Sequence, residues 1–324
     1  MNFAGLSSSG LGVLAGLSTA VLWTATAVCF EASSRRLGSL TVNVLRLAVA
    51  AILFGVLSLV RTNHFLPAAL SREAWFYLGL SGLVGFVMGD VFLFQAFVLI
   101  GARLSMLIYA SVPLMTALCG LLFLGESMSG SALVGMAITV AGIAIAVGGK
   151  PAASKDGTGA KASSRRTTGI LMALGGSAGQ AAGLVLGKRG AVGLDSFAAT
   201  QIRVLAGLLG FLVVLVAAGR ARALRDQLRD GVASRGNTGA RAQLRSLRQA
   251  LLVMCVGALL GPFLGVSLGL LSTQLLPAGT AATLMSIVPV LLIPVSALAF
   301  GERTSLMEIV GAVLAVGGVA VLAR

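Results

Sequence analysis

Two apolar stretches of the chain repeat one pattern, and they guide the interpretation of the whole sequence. VPLMTALCGLLFLGE occupies residues 112–126, and VPVLLIPVSALAFGE occupies residues 288–302, 176 positions later. Both begin Val-Pro, both end Gly-Glu, and neither carries a charge before its final residue. The match continues without a gap to Gly142 in the first copy and Gly318 in the second. A constant offset over this length predicts an internal structural repeat.

The repeat extends toward the N-terminus with a second offset. A shift of 157 positions aligns Gly12 with Gly169, Leu14 with Leu171 and Arg46 with Arg203. The sequence therefore predicts two copies of one unit, residues 1–148 and residues 169–324. The segment between them, residues 149–168, is rich in Gly, Ser, Ala and Lys, a composition typical of flexible linkers.

The composition places the chain in a membrane. Hydrophobic residues make up 57% of the chain and charged residues only 10%, whereas soluble domains carry about 25% charged residues. The apolar residues form continuous blocks, and about 20 such residues in a helix span the hydrocarbon core. Residues 1–10 contain no Lys or Arg, so we expect a retained first span and no cleaved signal peptide. The predicted spans are residues 11–30, 40–60, 74–100, 104–124, 131–148, 169–188, 197–218, 249–275, 278–300 and 305–323.

Ten spans in two copies give five spans per copy. Because five is odd, the second copy enters the membrane from the side opposite to the first. The predicted fold class is an all-α integral membrane protein, with ten transmembrane helices arranged as two inverted five-helix repeats. Inverted repeats are typical of secondary transporters, whose substrate site lies at the repeat interface near the membrane midplane.

The basic residues lie mainly between the apolar blocks. The net charge is +14, and residues 219–249 carry eight arginines. Their ARALRDQLRD portion is either an amphipathic helix on the headgroups or part of a disordered basic loop, since nearby glycines disfavour a helix. We expect residues 149–168 and 219–249 to contact anionic lipid headgroups, and we expect no nucleic acid partner.

Asp90 is the strongest functional candidate among the polar residues. It is the one carboxylate predicted to lie well inside the hydrocarbon, and its counterpart in the second copy is Val266. A charge at the centre of a span costs about 2.5–3.5 kcal/mol on insertion scales, so such residues generally serve a pathway or a proton relay. We expect Asp90 to couple transport to protons, or else to remain protonated, or to cap a helix break at Gly89 nearer the interface.

Further candidates are predicted to line a central cavity. Trp23 and Gln180 are equivalent under the offset of 157, and Pro113 and Pro289 are equivalent under the offset of 176. A proline inside a span leaves a carbonyl unpaired, which a membrane tolerates only against protein or a water-lined cavity. We expect the two prolines to line the cavity or to act as bending points. The complete predicted set is Trp23, Asp90, Gln95, Tyr109, Pro113, Gln180, Thr283, Ser286 and Pro289.

The repeated arginines are predicted to lie near the membrane surfaces. Arg46 and Arg203 lie near the starts of predicted spans 2 and 7. We expect them to pair with Glu31 and Asp195 respectively, or to extend toward the headgroups.

Small residues recur every four positions on two spans. Span 8 carries such a ladder from Gly257 to Gly269, and span 3 repeats it at Ser81, Gly85 and Gly89. This spacing predicts faces where helix backbones approach closely. Glu126 and Glu302, which close the two opening stretches, are predicted to begin the following helices, where acids are favoured.

These motifs resemble the EamA-type permeases of the drug/metabolite transporter superfamily. The resemblance rests on AATLMSIVPVLLIPVSALAFGERTS, on GDVFLFQAF followed by GARLSMLIYASVPLMTALCGLLFLGES, and on Leu22-Trp23, although Thr24 stands where the family commonly has glycine. It covers nearly the whole chain. It implies a secondary carrier, and many members export amino acids, related metabolites or toxic compounds.

Several other functions lack a sequence motif. There is no H-E-x-x-H and no P-loop, and Cys29, Cys119 and Cys255 show no C-x-x-C spacing. We therefore expect no enzyme activity, no cofactor and no metal. The leading hypothesis is a proton-coupled exporter of small organic metabolites. The alternatives are an importer with the same fold, or a channel or membrane sensor that uses residues 219–249.

The expected location is the plasma membrane, which in a bacterium is the inner membrane, and the protein is expected to be multi-pass. The expected oligomeric state is a monomer or a homodimer. One set of alternating loops carries 18 Lys and Arg, and the other side carries six. The positive-inside rule then places both termini outside, whereas the family resemblance implies cytoplasmic termini.

Overall fold

The computed structural model describes residues 8–67, 70–124, 130–148, 160–217, 238–300 and 305–322. All regular elements in these ranges are helical. The first half contains α1 (Ser8–Leu37), α2 (Ser39–Thr62), α3 (Arg72–Gly82), α4 (Asp90–Tyr109), α5 (Val112–Cys119) and α6 (Gly130–Gly148). The second half contains α7 (Ala160–Gly190), α8 (Ser196–Ala217), α9 (Thr238–Ala258), α10 (Val266–Leu275), α11 (Ala278–Met285), α12 (Val288–Phe300) and α13 (Leu306–Leu322).

Seven helical segments in the described ranges are long and apolar enough to cross a membrane. Leu306–Gly318 is a shorter apolar helix. A chain with this many apolar helices is an all-helical integral membrane protein. The count of ten spans, and their arrangement as inverted repeats, remain predictions. Glu126, Glu302 and the ARALRDQLRD segment lie outside the described residues.

Two helices begin earlier than the sequence predicted. Helix α7 begins at Ala160, whereas the corresponding span was predicted from residue 169, so the linker is shorter than expected. Helix α9 begins at Thr238, whereas the span was predicted from residue 249. The prediction followed the apolar blocks, but Lys, Arg, Gln and Ala are good helix formers and continue a helix beyond hydrocarbon. Gly239 lies in the first turn of α9, where the N–H groups have no helical partner in any case.

Gly101 divides the long helix α4. Its φ of 79° and ψ of 160° are non-helical and separate Asp90–Ile100 from the turns that lead to Tyr109. Glycine adopts a positive φ without a steric cost. The break falls between predicted spans 3 and 4.

The described ranges contain three π-helical segments: Gly120–Leu124 follows α5, and the other two stand at equivalent positions of the repeat. Leu83–Gly89 joins α3 to α4, and Leu259–Gly265 joins α9 to α10. Their boundaries differ by 176, the same offset that relates the two apolar stretches. A π-helical turn loosens the regular hydrogen-bond ladder and occurs frequently at functional sites. The second segment contains Pro262, which lacks a backbone N–H.

The small-residue ladders form the helix contacts predicted for them. Ladder residues of the first half pack against α7, where a Cβ added at Gly183 would lie 2.7 Å from the Cα of Gly85. The ladder on α9 and α10 packs against α1, where a Cβ at Gly265 would lie 2.9 Å from the indole of Trp23. The prediction of close packing faces is confirmed. The first helix of each half thus packs against the small-residue ladder of the other half.

Helices α6 and α13 cross with reciprocal contacts. A Cβ at Gly142 would lie 2.4 Å from the backbone nitrogen of Ala315, and a Cβ at Gly318 would lie 2.4 Å from that of Thr139. The Thr139 hydroxyl donates to the carbonyl of Gly135 at 2.8 Å and lies 3.3 Å from the carbonyl of Ala315. The crossing therefore depends on glycine at both equivalent positions.

We predict that Gly142→Ala destabilises the protein by about 1–3 kcal/mol, because the added methyl group overpacks the crossing. The measurement is the midpoint of thermal unfolding of the purified protein in detergent. The control is Gly317→Ala on α13, since no described atom lies within 4 Å of a Cβ at that position. The control should leave the midpoint unchanged or raise it slightly, because alanine is the better helix former. Equal effects of the two substitutions would contradict this account of the crossing.

Candidate functional site

An open cavity of about 590 Å³ lies among helices of both halves. Its lining includes residues from α1, α2, α4, α7 and α8 and from both repeat-related π-helical segments. A second cavity of about 360 Å³ adjoins it and shares Trp23, Met106, Tyr109 and Gln180. The two repeat-related π-helical segments therefore lie beside the larger of these two cavities.

An ion pair between Arg46 and Asp90 forms part of the cavity wall. The Arg46 Nη2 donates to Asp90 Oδ2, and both residues are buried, with 4% and 8% of their surface exposed. Asp90 is the first residue of α4, immediately after the π-helical segment. The Arg46 Nε also donates to Asn43 Oδ1 at 2.9 Å, and the Asn43 amide donates to the carbonyl of Ser39 at 3.0 Å. This network holds the guanidinium in one orientation from α2.

Aromatic rings surround the Arg46 guanidinium. Its Cζ lies 4.8 Å from the ring centroid of Phe94, 5.3 Å from that of Phe30 and 5.9 Å from that of Phe86. The faces of aromatic rings attract a cation, more strongly where water is excluded. The rings therefore offset part of the cost of removing this charge from water.

Arg203 is the second buried arginine of the cavity wall. Only 2% of its surface is exposed, and its Cζ lies 5.5 Å from the ring centroid of Phe86. Its Nε has no hydrogen-bond partner among the described residues. No carboxylate of the described ranges forms an ion pair with it. Arg46 and Arg203 thus occupy repeat-related positions in the same wall but differ in their pairing.

The predicted partners of the two arginines were wrong. Glu31 instead pairs with Arg35 at 2.6 Å, and Asp195 lies 3.6 Å from Arg61. The expectation that Arg46 and Arg203 reach the membrane surface was also wrong. Each lies seven residues after the first residue of its helix, which is about 10 Å along the axis. At that depth the side chain lies beside the cavity and does not reach the headgroups.

Six of the nine predicted site residues line the two cavities. Trp23, Asp90, Tyr109 and Gln180 line the larger one, and Pro113 and Ser286 line the smaller one. Trp23 and Gln180, which are equivalent under the offset of 157, both line the two cavities.

The remaining three predicted residues are placed differently. Gln95 is not among the lining residues, and its Oε1 lies 3.5 Å from the hydroxyl of Ser39. Thr283 belongs to α11 and Pro289 to α12, but their side chains are outside the described part.

The two predicted prolines occupy equivalent places in the helices. Pro113 is the second residue of α5, after a turn at residues 110–111, and Pro289 is the second residue of α12, after a turn at residues 286–287. At the start of a helix the missing N–H leaves no hydrogen bond unmade. Each proline therefore begins a helix after a break in its span and does not kink a continuous one.

The sequence singled out the two arginines but placed them at the membrane surfaces, and it gave no indication of the aromatic residues around them. The available signal was the repeated arginine itself, since a basic residue seven positions inside an apolar helix is rarely placed there without a partner. The positions of Phe30, Phe86 and Phe94 carried no comparable signal, because phenylalanine is common throughout apolar spans.

Comparison with known proteins identifies the family. The model of the EamA-like transporter family matches residues 10–148 and residues 167–324. The chain belongs to the EamA-like transporter family. The resemblance drawn from the sequence is therefore confirmed, and as an EamA-like protein this chain is a membrane transporter of small molecules. The family comprises transporters and not enzymes.

Solved structures share the fold of this EamA-like protein. Twenty-seven chains match it. One, titled "Crystal structure of protein", has a TM-score of 0.65 and 17% sequence identity, over 96% of this chain and 95% of its own. At that identity the likeness concerns the fold alone. No curated protein matches.

We predict that Asp90→Asn lowers the stability of the EamA-like protein by about 3–5 kcal/mol, because the Arg46 guanidinium is left buried without its counter-charge. Thermal unfolding in detergent measures the effect. The matched control is Asp195→Asn, which breaks an exposed pair and should cost less than about 1 kcal/mol. Asparagine there can still accept from the backbone N–H of Ala198, as Asp195 does at 3.1 Å. Replacing both members of the buried pair, as in Arg46→Met/Asp90→Leu, should restore much of the lost stability; failure to do so would contradict the role of the orphaned charge.

Proposed function

We propose that this EamA-like protein is a secondary active transporter that exports small organic metabolites across the plasma membrane. The cargo class is amino acids or related amphipathic compounds, and the driving force is a proton gradient. The observation that carries the proposal is the buried pair of Arg46 and Asp90 in the wall of an open cavity. Ionisable residues inside a membrane are costly, and they mark substrate and ion pathways.

The proposed proton site is Asp90. When its carboxylate is ionised, it binds the Arg46 guanidinium; when it is protonated, the attraction is lost and Arg46 is free to turn toward other groups. The pair connects α2 to α4 directly after a π-helical segment, so its opening acts on a part of the chain with a weakened hydrogen-bond ladder. Proton binding would in this way favour one of two helix arrangements.

The proposed conformational cycle is alternating access of two inverted five-helix repeats. Its support is the reciprocal packing of the halves, in which α1 lies on the ladder that runs from α9 to α10, and α7 lies on the ladder of α3 and the π-helical segment after it. Two repeats with equivalent contacts provide two packings of similar energy, one open to each side of the membrane. Small-residue faces allow such helices to slide with little change in side-chain contacts.

The proposed substrate contacts lie where the two cavities meet. Trp23 offers an indole face, Gln180 an amide, and Tyr109 a ring with a hydroxyl group. A cavity with mostly apolar walls and a few polar groups suits an organic solute that has an apolar body and a polar end. Pro113 and Ser286 line the smaller cavity, and Thr283 and Pro289 are proposed to complete it.

Solute flux through the reconstituted protein distinguishes a carrier from a channel. Purified protein in proteoliposomes should show saturable uptake of one class of solute from a panel of amino acids and amphipathic amines. Unlabelled substrate inside the vesicles should accelerate uptake of labelled substrate, because a carrier returns faster when it is loaded. A pH gradient should drive accumulation. Flux that rises linearly with concentration, without exchange, would instead indicate a channel.

The second prediction concerns coupling. Asp90→Asn should retain exchange of substrate across vesicles without a pH gradient, but it should lose accumulation driven by the gradient. The flux is compared per folded protein with that of Asp195→Asn, which should behave as the wild type. Because Asp90→Asn is destabilising, Arg46→Gln/Asp90→Asn, which leaves no orphaned charge, provides a second variant. Unchanged pH dependence in both variants would remove Asp90 from the mechanism.

A further inference from the structure

The charges in the wall of the larger cavity do not balance. Three charged residues occur among those that line it: Arg46, Asp90 and Arg203. Two guanidinium groups and one carboxylate give the wall a net charge of +1. A buried charge without a partner is unfavourable, and Asp90 is already bound to Arg46. The excess positive charge therefore resides at Arg203.

The internal repeat indicates what is missing beside Arg203. The offset of 157 relates Arg46 to Arg203, and the offset of 176 relates Asp90 to Val266. The second half thus keeps the arginine of the pair but carries valine at the position of the acid. Val266 and Arg203 both line the cavity. The arrangement that neutralises the first guanidinium from within the chain is absent from the second.

The described residues around Arg203 hold its guanidinium at the cavity without forming an ion pair with it. A Cβ added at Gly187 would lie 3.4 Å from the Cζ and Nη1 of Arg203, and one at Gly85 would lie 3.7 Å from Nη2. The two glycines therefore leave room for the planar group between their helices. The ring of Phe86 lies beneath it, while Nε has no partner among the described residues. Guanidinium N–H groups in such a position match the oxygens of a carboxylate or a phosphate.

We propose that Arg203 binds an anionic group of the transported molecule. The substrate class is then a small organic anion or zwitterion, whose carboxylate or phosphate takes the place that Asp90 takes beside Arg46. Its apolar part lies toward Trp23 and Phe86. The inference rests on the proposed function only in naming the ligand as a substrate, since binding of an anion at Arg203 is measurable without transport.

The chain provides its own optical probe of the cavity. It contains two tryptophans: Trp23 lines both cavities, and Trp75 lies on α3 with 40% of its surface exposed and is not among the lining residues. In a Trp75→Phe background, tryptophan fluorescence reports on Trp23 alone. All binding variants are made in that background.

The binding test uses ligands with one apolar body and different charges. The probes are 3-phenylpropanoate, 2-phenylethyl phosphate, 3-phenylpropanamide and 3-phenylpropylamine, titrated into the detergent-solubilised protein. We expect saturable fluorescence changes with the two anions and at least tenfold weaker binding of the neutral amide and the amine. The ratio of the two anion affinities shows whether the site prefers a carboxylate or a phosphate group. Equal affinity for the anion and the amide, or no saturable response to either anion, would overturn the proposal.

Variants of Arg203 separate charge recognition from folding. Arg203→Met should weaken anion binding at least tenfold while leaving amide binding unchanged, and Arg203→Lys should restore most of the anion affinity because it restores the charge. Arg61→Gln removes an exposed arginine outside the cavity and should have no effect. Anion binding that is as tight in Arg203→Met as in the parent would refute the assignment.

Val266 offers an independent test that keeps Arg203 in place. Val266→Asp supplies the acid that the second half lacks. The new carboxylate should pair with the Arg203 guanidinium and weaken anion binding at least tenfold. Val266→Asn, of the same size without the charge, should bind anions within a few-fold of the parent. Equal anion affinities in the two Val266 variants would overturn the proposal even if Arg203→Met failed to fold.

The experiments can contradict the carrier proposal and the anion-site proposal independently. Anion binding that depends on Arg203, with no counterflow of any solute in proteoliposomes, would support the site and contradict the carrier. Saturable counterflow of a neutral or cationic solute, unchanged by Arg203→Met, would support the carrier and overturn the site.

Discussion

The structure depends on the cost of placing charges where water is excluded. An isolated guanidinium or carboxylate inside a membrane protein is unfavourable, and a close, hydrogen-bonded pair removes much of that cost. Arg46 and Asp90 form such a pair, with Asn43 on the other side of the guanidinium and three phenylalanine rings around it. The pair fixes α2 against the start of α4. It also places an ionisable carboxyl group of the cavity wall in a contact between two helices.

Close helix packing brings these charges to one cavity. Glycines on α7 and on the π-helical segment after α3 let the backbones approach to van der Waals contact, and the equivalent ladder on α9 and α10 receives α1. In a membrane, where lipid is as apolar as the side chains, such small-residue contacts are a main source of helix association. The same packing leaves space for the Arg203 guanidinium beside Gly187. The packing faces and the charged wall are therefore parts of one arrangement.

Much of the helical framework could be predicted from the sequence. The apolar blocks located the helices, except that α7 and α9 extend into the polar segments before them, because helix formation does not require apolar residues. The repeat offsets predicted equivalent features that the structure shows at Gly142 and Gly318, and the ladders predicted the packing faces. The sequence also predicted that Trp23 and Gln180 lie close together, because equivalent positions in a repeat are related by a common axis. The ion pair of Arg46 with Asp90 could not be predicted from the sequence, since Glu31 is the nearer acid along the chain and was the more obvious partner.

The sequence by itself determined that this is a helical membrane protein with an internal repeat, and its motifs were sufficient to indicate the EamA-like transporter family. These properties follow from composition, spacing and self-similarity, which are local or periodic and need no knowledge of helix crossings. Only the tertiary structure decided which charges meet. The depth of Arg46 and Arg203 in their helices and the position of Asp90 after a π-helical turn place all three in one cavity wall. Electrostatic energy depends on distance in space and not on separation along the chain. Among the described residues, Arg46 therefore has a carboxylate partner and Arg203 has none.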